Sequence, residues 1–152
     1  CGCFWGVQHQ MERAKGVVGS TVGYTGGKEQ HPTYQEVKAH STGHTEAVLV
    51  EYDAEQTTYK ELCKLFFEIH DPAQTDGQGP DIGPQYRSEI FYLNEAQKAE
   101  AEAIIQLLRE KGYEVNTRLT PASEFWPAED YHQHYYNKTG GEPYCHIRIK
   151  KL

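Results

Sequence analysis

Val17-Val18-Gly19-Ser20-Thr21-Val22-Gly23-Tyr24 runs directly into Thr25-Gly26-Gly27, a strand-favouring stretch closed by a turn signal. Upstream, residues 6–15 read as a short helix stopped by Gly16. Downstream, Ala47 to Tyr52 reads as a second strand. Thr57 to His70 reads as a helix, with Tyr59, Leu62, Cys63 and Phe66 at helical spacing. Residues 71–86 hold three Pro and three Gly in sixteen positions, a long irregular loop of the kind that carries function. Ser88 to Leu93 predicts a third strand. Asn94 then caps a helix running to Lys111, with Ala101, Ile104, Ile105 and Leu108 on one face and Gly112 as its stop. Glu114 to Leu119 predicts another strand, and Pro127 opens an expected helix through Tyr136. The order predicts an α+β sandwich of helices on a mixed or antiparallel sheet.

The length of 152 residues, with no repeat or composition break, matches a single domain over 1–152. Apolar residues make up 38% and aromatic residues 12%, with 14 Gly and 7 Pro, which excludes a low-complexity, disordered chain. The net charge of −7 argues against a nucleic-acid partner. The longest apolar runs, such as Ala47 to Val50, are four residues, far short of the ~20 that span a bilayer. No leader-like segment opens the sequence. Four cysteines are too sparse for a disulfide scaffold, which favours a reducing, cytoplasmic setting.

The thiols therefore need sorting one by one. Cys63 falls on the apolar helical face, where a small buried thiol is expected and no chemistry is assigned. Cys3 sits just before the first helix, where free N–H groups and the positive dipole end favour a nucleophilic thiolate. Gly2 and Gly6 flank it and permit close approach, while Phe4 and Trp5 follow it directly. Position alone leaves a reactive thiol, a buried thiol and a metal ligand all open for Cys3. Cys145, in Pro143-Tyr144-Cys145-His146, follows the flexible Gly140-Gly141 pair. Such a thiol suits a second sulfur that travels to a first; a static thiol is the plainer reading. Cys1 would close a strained ring with Cys3. Cys1, Cys3, Cys145 and His146 could form a zinc-holding or redox-sensing module, the alternative from a non-enzymatic class. Their spacings are tighter than the paired ligands of structural zinc sites, so no metal is assigned.

Thr42-Gly43-His44-Thr45-Glu46 leads into the second strand, and alternation puts Glu46 on the face of Val48, Val50 and Tyr52. A carboxyl at the rim of an apolar layer has a raised pKa and can act as a general acid. The plainer reading ends the strand in water. His44 is expected to be a hydrogen-bonded structural residue. Asp81, between turn residues, ordinarily bonds its own backbone, and Tyr86 ordinarily packs in a core. Tyr131-His132-Gln133-His134-Tyr135-Tyr136 is dense in hydroxyl and imidazole groups, more a polar wall than a core.

Five segments taken together resemble one family. Gly2-Cys3-Phe4-Trp5-Gly6, Gly23-Tyr24, Thr42-Gly43-His44-x-Glu46-Ala47-Val48, Asp81-x-Gly83-x-Gln85-Tyr86-Arg87-Ser88 and Tyr131-His132-Gln133-x-Tyr135 are similar to the type A peptide methionine sulfoxide reductases. The resemblance implies a two-layer, ferredoxin-like α+β core wrapped in long coil. It implies Cys3 as nucleophile, Phe4 and Trp5 as the apolar pocket for the substrate S-methyl group, and Glu46 as the acid toward the sulfoxide oxygen. Tyr34 and Tyr86 would add hydroxyls, Asp81 would support the site, and Cys145 would be the resolving thiol. The implied substrate is the S epimer of methionine sulfoxide, free or in proteins, with thioredoxin as reductant and no cofactor. A thiol peroxidase would share the sulfenic acid but has no use for the Phe4-Trp5 pair. The family usually carries a β-strand just before the Gly-Cys-Phe-Trp-Gly motif, whereas here Cys1 is the first residue.

Overall fold

The β-branched run Val17–Thr25 forms the central strand in the computed structural model, which describes residues 1–141 and 148–152. Cys145 and His146 lie outside the described residues. In chain order the elements are α1 (Phe4–Glu12), β1 (Val17–Thr25), α2 (Tyr34–Lys38), β2 (Thr45–Tyr52), α3 (Tyr59–Glu68), β3 (Gly77–Gln78), β4 (Asp81–Ile82), β5 (Glu89–Tyr92), α4 (Glu95–Glu110), β6 (Arg118–Pro121), β7 (Trp126–Pro127) and α5 (Tyr135–Thr139). Short 3₁₀ turns occupy Pro84–Tyr86 and Asp130–His132.

The main sheet is antiparallel in the order β2-β1-β7, and β5 and β6 form a separate parallel pair. In the β1–β2 ladder Val22 lies opposite Val48 and Tyr24 opposite Glu46. The helix α1 packs across β1 and β2, while α3 packs on α4. Cys63 and Phe67 of α3 meet Ile104, Ile105 and Leu108 of α4 in one apolar cluster. Phe4 of α1 packs with Val22 and Tyr24 of β1 and Val37 of α2 in another. The expected α+β arrangement of helices on sheet is the one observed. Among the described residues β2 pairs only with β1 and β5 only with β6. An apolar cavity of about 310 Å³ is lined by Val7, Val48, Val50, Phe66 and Ile90 among others, residues of β2 and β5 included.

Four boundaries depart from the sequence expectation. The first helix begins at Phe4 and ends at Glu12, so Cys3 is its N-cap and Gly6 lies inside its first turn. The expected helix from Pro127 to Tyr136 does not form. Pro127 instead lies in β7 opposite Gly23, and His134 takes a left-handed φ of 53° that separates the 3₁₀ turn from α5. Gln133, between them, behaves as a surrogate strand residue. Its Oε1 accepts the Val22 amide at 3.0 Å and its Nε2 donates to the Val22 carbonyl at 2.9 Å. The strand expected at Glu114 to Leu119 pairs only over Arg118–Pro121, because Asn116 spends its amide on the Pro72 carbonyl. The helix α2 lacks a long apolar period and escapes a periodicity reading, yet it carries a complete capping box between Thr33 and Glu36.

Candidate active site

Cys3 is buried at the head of α1, and its side chain makes no capping hydrogen bond to the helix. The first amide of that helix is bonded from elsewhere: Phe4 N–H donates to Glu46 Oε1 at 3.1 Å. Glu46 reaches it because strand alternation turns Glu46 inward while Leu49 and Glu51 face solvent. The carboxyl is 3% exposed. Burial raises its pKa from 4.5 to about 8; the Phe4 amide opposes the rise and the Asp81 charge adds to it. At neutral pH the Glu46 carboxyl therefore holds its proton, as the apolar-rim reading expects, and the solvated strand-end reading does not apply.

Tyr34 opens α2 and Tyr86 ends the 3₁₀ turn Pro84–Tyr86. Burial pushes the Tyr34 phenol up to about 12, helped by the charges of Glu46 and Cys3. Tyr86 is pushed up by burial and then by Glu46, Tyr34, Cys3 and Asp81. Both hydroxyls thus keep their protons at neutral pH, and both feel the same three acidic groups, Glu46, Cys3 and Asp81. Asp81 enters from β4, where Gln78 lies opposite it. Gly77 makes this approach possible: at φ +153°, a Cβ there would collide with the Asp81 carbonyl. Asp81 is thus held by a strand pair.

Phe4 and Trp5 diverge. Phe4 is 1% exposed, its ring 5.7 Å from Tyr24 and 5.2 Å from His132. Trp5 is half-buried, stacked at 3.8 Å and 8° on Tyr135. Its indole Nε1 donates to His132 Nδ1 at 2.9 Å. Glu129 gathers the neighbouring donors: Tyr24 Oη at 3.1 Å, the Tyr34 amide at 3.3 Å and Tyr131 Oη at 3.3 Å. Sequence reading missed Glu129 and the individual role of His132; its only signal was the density of Tyr and His over 131–136.

The remaining expectations are readily placed. His44 is structural, its Nδ1 accepting the Gly27 amide at 3.1 Å and its Nε2 donating to the Glu29 carbonyl at 2.7 Å. Burial pushes the Cys63 thiol up to about 11, the mark of an inert core thiol. Among the described residues no cluster of three His, Cys, Asp or Glu is arranged to hold a metal. Two of the four candidate zinc ligands, Cys145 and His146, lie outside those residues. Chemically, the arrangement sets a thiol at a helix N-terminus, with a protonated carboxyl bonded to the next residue's amide and two protonated phenols that feel both groups.

The family model for peptide methionine sulfoxide reductase matches residues 1–152. The peptide methionine sulfoxide reductase MsrA of Acinetobacter baumannii is 47% identical over 148 residues, covering 97% of this chain and 86% of that protein. The reduced form of Mxr1 from Saccharomyces cerevisiae superposes with a TM-score of 0.89 at 34% identity, covering 97% of this chain and 88% of that one. Mxr1 in complex with Trx2 superposes with a TM-score of 0.63 at 25% identity, covering 99% of this chain and 85% of that one.

Proposed function

The chain belongs to the peptide methionine sulfoxide reductase family, type A, and we propose that Cys3 and Glu46 together carry its reduction of methionine sulfoxide. The observation that supports this most directly is the Phe4 amide bonded to Glu46, which sets a protonated carboxyl beside the residue after the thiol. A sulfoxide sulfur is a poor electrophile until its oxygen is protonated. The Cys3 thiolate attacks that sulfur while Glu46 gives its proton to the oxygen, with Tyr34 and Tyr86 donating hydrogen bonds to the same oxygen. The substrate S–O bond and the new bond between the Cys3 and substrate sulfurs then break as the hydroxyl passes to the Cys3 sulfur. The products are methionine, reduced by two electrons, a Cys3 sulfenic acid, and Glu46 as carboxylate.

Recycling consumes a second thiol. Cys145 condenses with the sulfenic acid, releasing water and forming a Cys3–Cys145 disulfide, which a dithiol protein opens by exchange. Thioredoxin is the proposed reductant, supported by the solved complex of Mxr1 with Trx2. Phe4 and Trp5 would take the substrate methyl group, Asp81 would hold the phenols in place, and the S epimer would be the one reduced. One catalytic domain over 1–152, a cytoplasmic setting and a scheme without metal or organic cofactor complete the reading. No described helix is long and apolar enough to cross a membrane.

The test is methionine release from each sulfoxide epimer by the reduced protein, with trapping of the sulfenic acid and mass mapping of its position. Release from the S epimer with the adduct on Cys3 is expected. Release from the R epimer alone, or an adduct on Cys1 or Cys63, would overturn the assignment.

A further inference from the structure

Glu46 and Tyr86 stand on supports of unequal stiffness. Glu46 lies in β2, whose ladder with β1 runs from Thr45 opposite Thr25 to Tyr52 opposite Val17. Tyr86 ends a single 3₁₀ turn, the last piece of the irregular run 71–86. That turn is closed by the Tyr86 amide on the Gly83 carbonyl at 3.1 Å and by the Arg87 amide on the Pro84 carbonyl at 3.4 Å. The second bond is long, and one 3₁₀ turn has poor hydrogen-bond geometry of its own. Its place against β2 must come from outside it.

Two side chains supply it, one from each direction. Thr45, buried and adjacent to Glu46, donates its Oγ1 to the carbonyl of Gln85 at 2.9 Å, the residue before Tyr86. Arg87, the residue after Tyr86, spreads its guanidinium over three acceptors. Nη1 donates to the Pro84 carbonyl at 2.9 Å, Nη2 to the Gly43 carbonyl at 3.2 Å, and Nε to the Glu89 carboxylate. The Glu89 side chain is 6% exposed and also accepts from Thr120 Oγ1, which ties the guanidinium to the β5–β6 pair. A rigid planar fork can serve three fixed acceptors together, whereas an ammonium is a single point charge. Both neighbours of Tyr86 are thereby bonded to residues of the segment that leads into Glu46.

We propose that Arg87 and Thr45 are positioning residues for proton delivery: they strap the Tyr86 turn to the head of β2, so that the Tyr86 hydroxyl keeps a fixed place relative to the Glu46 carboxyl. The inference rests on the reading of Glu46 and Tyr86 as donors to one sulfoxide oxygen given above. Both strap residues act through Tyr86, not on the reacting atoms.

The test is a double-mutant cycle on the chemical step. Arg87→Lys keeps a positive charge for Glu89 but loses the fork, and Thr45→Val keeps the shape but loses the donor. Each is made in the unsubstituted chain and in Tyr86→Phe, and single-turnover methionine release is measured at saturating sulfoxide. A misplaced Tyr86 hydroxyl forfeits one transition-state hydrogen bond, so each strap variant should slow release by about tenfold. In Tyr86→Phe the same changes should cost less than about twofold, because the hydroxyl they position is already gone. The basic limb of the pH profile should stay at about 8, since Glu46 remains buried. A merely structural role would slow both backgrounds alike and, by admitting water, would move that limb toward the ordinary carboxyl range. Either of those results, or unchanged rates in folded strap variants, would overturn the proposal. Should one strap variant fail to fold, the other decides alone. A full rate in Tyr86→Phe itself would overturn the reading of Tyr86 as a donor, and this inference with it.

Discussion

The main-chain N–H of Phe4 and the carboxyl of Glu46 meet at 3.1 Å across 42 positions of sequence, joining the first turn of α1 to the inner face of β2. The contact satisfies one of the helix's free amides and holds an acid beside the thiol at its N-cap. It is also a thermodynamic burden, since a carboxyl that titrates at about 8 in the fold is ionised far more readily in water.

Glu46→Gln should therefore act in opposite senses on rate and stability. With Glu46 as the proposed proton donor the acid form is the active one, so the rate of methionine release should fall as pH rises through about 8 in the unsubstituted chain. The amide keeps the shape but has no proton to give, so the rate should drop by about 10²–10⁴-fold and the basic limb should vanish. Between pH 4.5 and about 8 the folded chain holds a proton that the unfolded chain has lost, so stability falls as pH rises. Melting curves should show Glu46→Gln gaining on the unsubstituted chain above pH 8 and losing that advantage near pH 4. A rate and pH profile unchanged by the substitution would move proton donation elsewhere, with Tyr86 the next candidate.

Tyr34→Phe and Tyr86→Phe should each slow the chemical step less than Glu46→Gln does. The double variant should lose more than either single one, because both hydroxyls serve one oxygen. Single-turnover rates for the three variants check this, and a double variant no slower than Tyr34→Phe would remove Tyr86 from the site.

Cys3→Ser should abolish reduction, since a hydroxyl lacks the thiolate's nucleophilicity near neutral pH. Cys63→Ala should leave turnover intact and lower stability by about 1 kcal/mol through a small cavity between α3 and α4. Turnover and denaturant midpoints of the pair separate the reactive thiol from the core one.

Cys145→Ser should release about one methionine per enzyme and then stop with thioredoxin as reductant, resuming when a small dithiol is added. Sustained turnover with thioredoxin would assign the resolving role to Cys1 or to direct attack on the sulfenic acid.

The carboxylate of Glu68, at the end of α3, offers a different test, because residues 148–152 dock on it. It is 2% exposed and accepts from Arg148 Nη2 at 2.8 Å, Arg148 Nε at 3.1 Å, the Lys151 amide at 2.9 Å and the Leu152 amide at 3.2 Å. Burial works against its charge, but the Lys151 amide and Arg148 outweigh it and hold the pKa below the usual 4.5. The contribution is thus present above the unfolded carboxyl's pKa and lost as pH falls through that region. Glu68→Ala should destabilise the fold by about 2 kcal/mol at pH 7, less than a fully buried pair because Arg148 is 58% exposed. The difference from the unsubstituted chain should shrink below pH 4, and single-turnover methionine release should be unaffected.

Much of the scaffold is a local property of the sequence. The β-branched run of β1, the Asn94 cap and the apolar stripe Ala101, Ile104, Ile105 and Leu108 of α4 specify those elements through torsional preference and period alone. The same local logic places Cys3 at a helix start and turns Glu46 inward by strand parity. The tertiary structure decided the rest. Pro127 joins a strand beside Gly23, whose missing side chain lets the Trp126 carbonyl and the Phe125 ring close on it, and Gln133 pairs with Val22 from 111 positions away. The indole of Trp5 finds His132 at a separation of 127 residues. No periodicity or cap encodes such meetings, because they follow from which strand lies beside which and in what register, and only the packed sheet determines that.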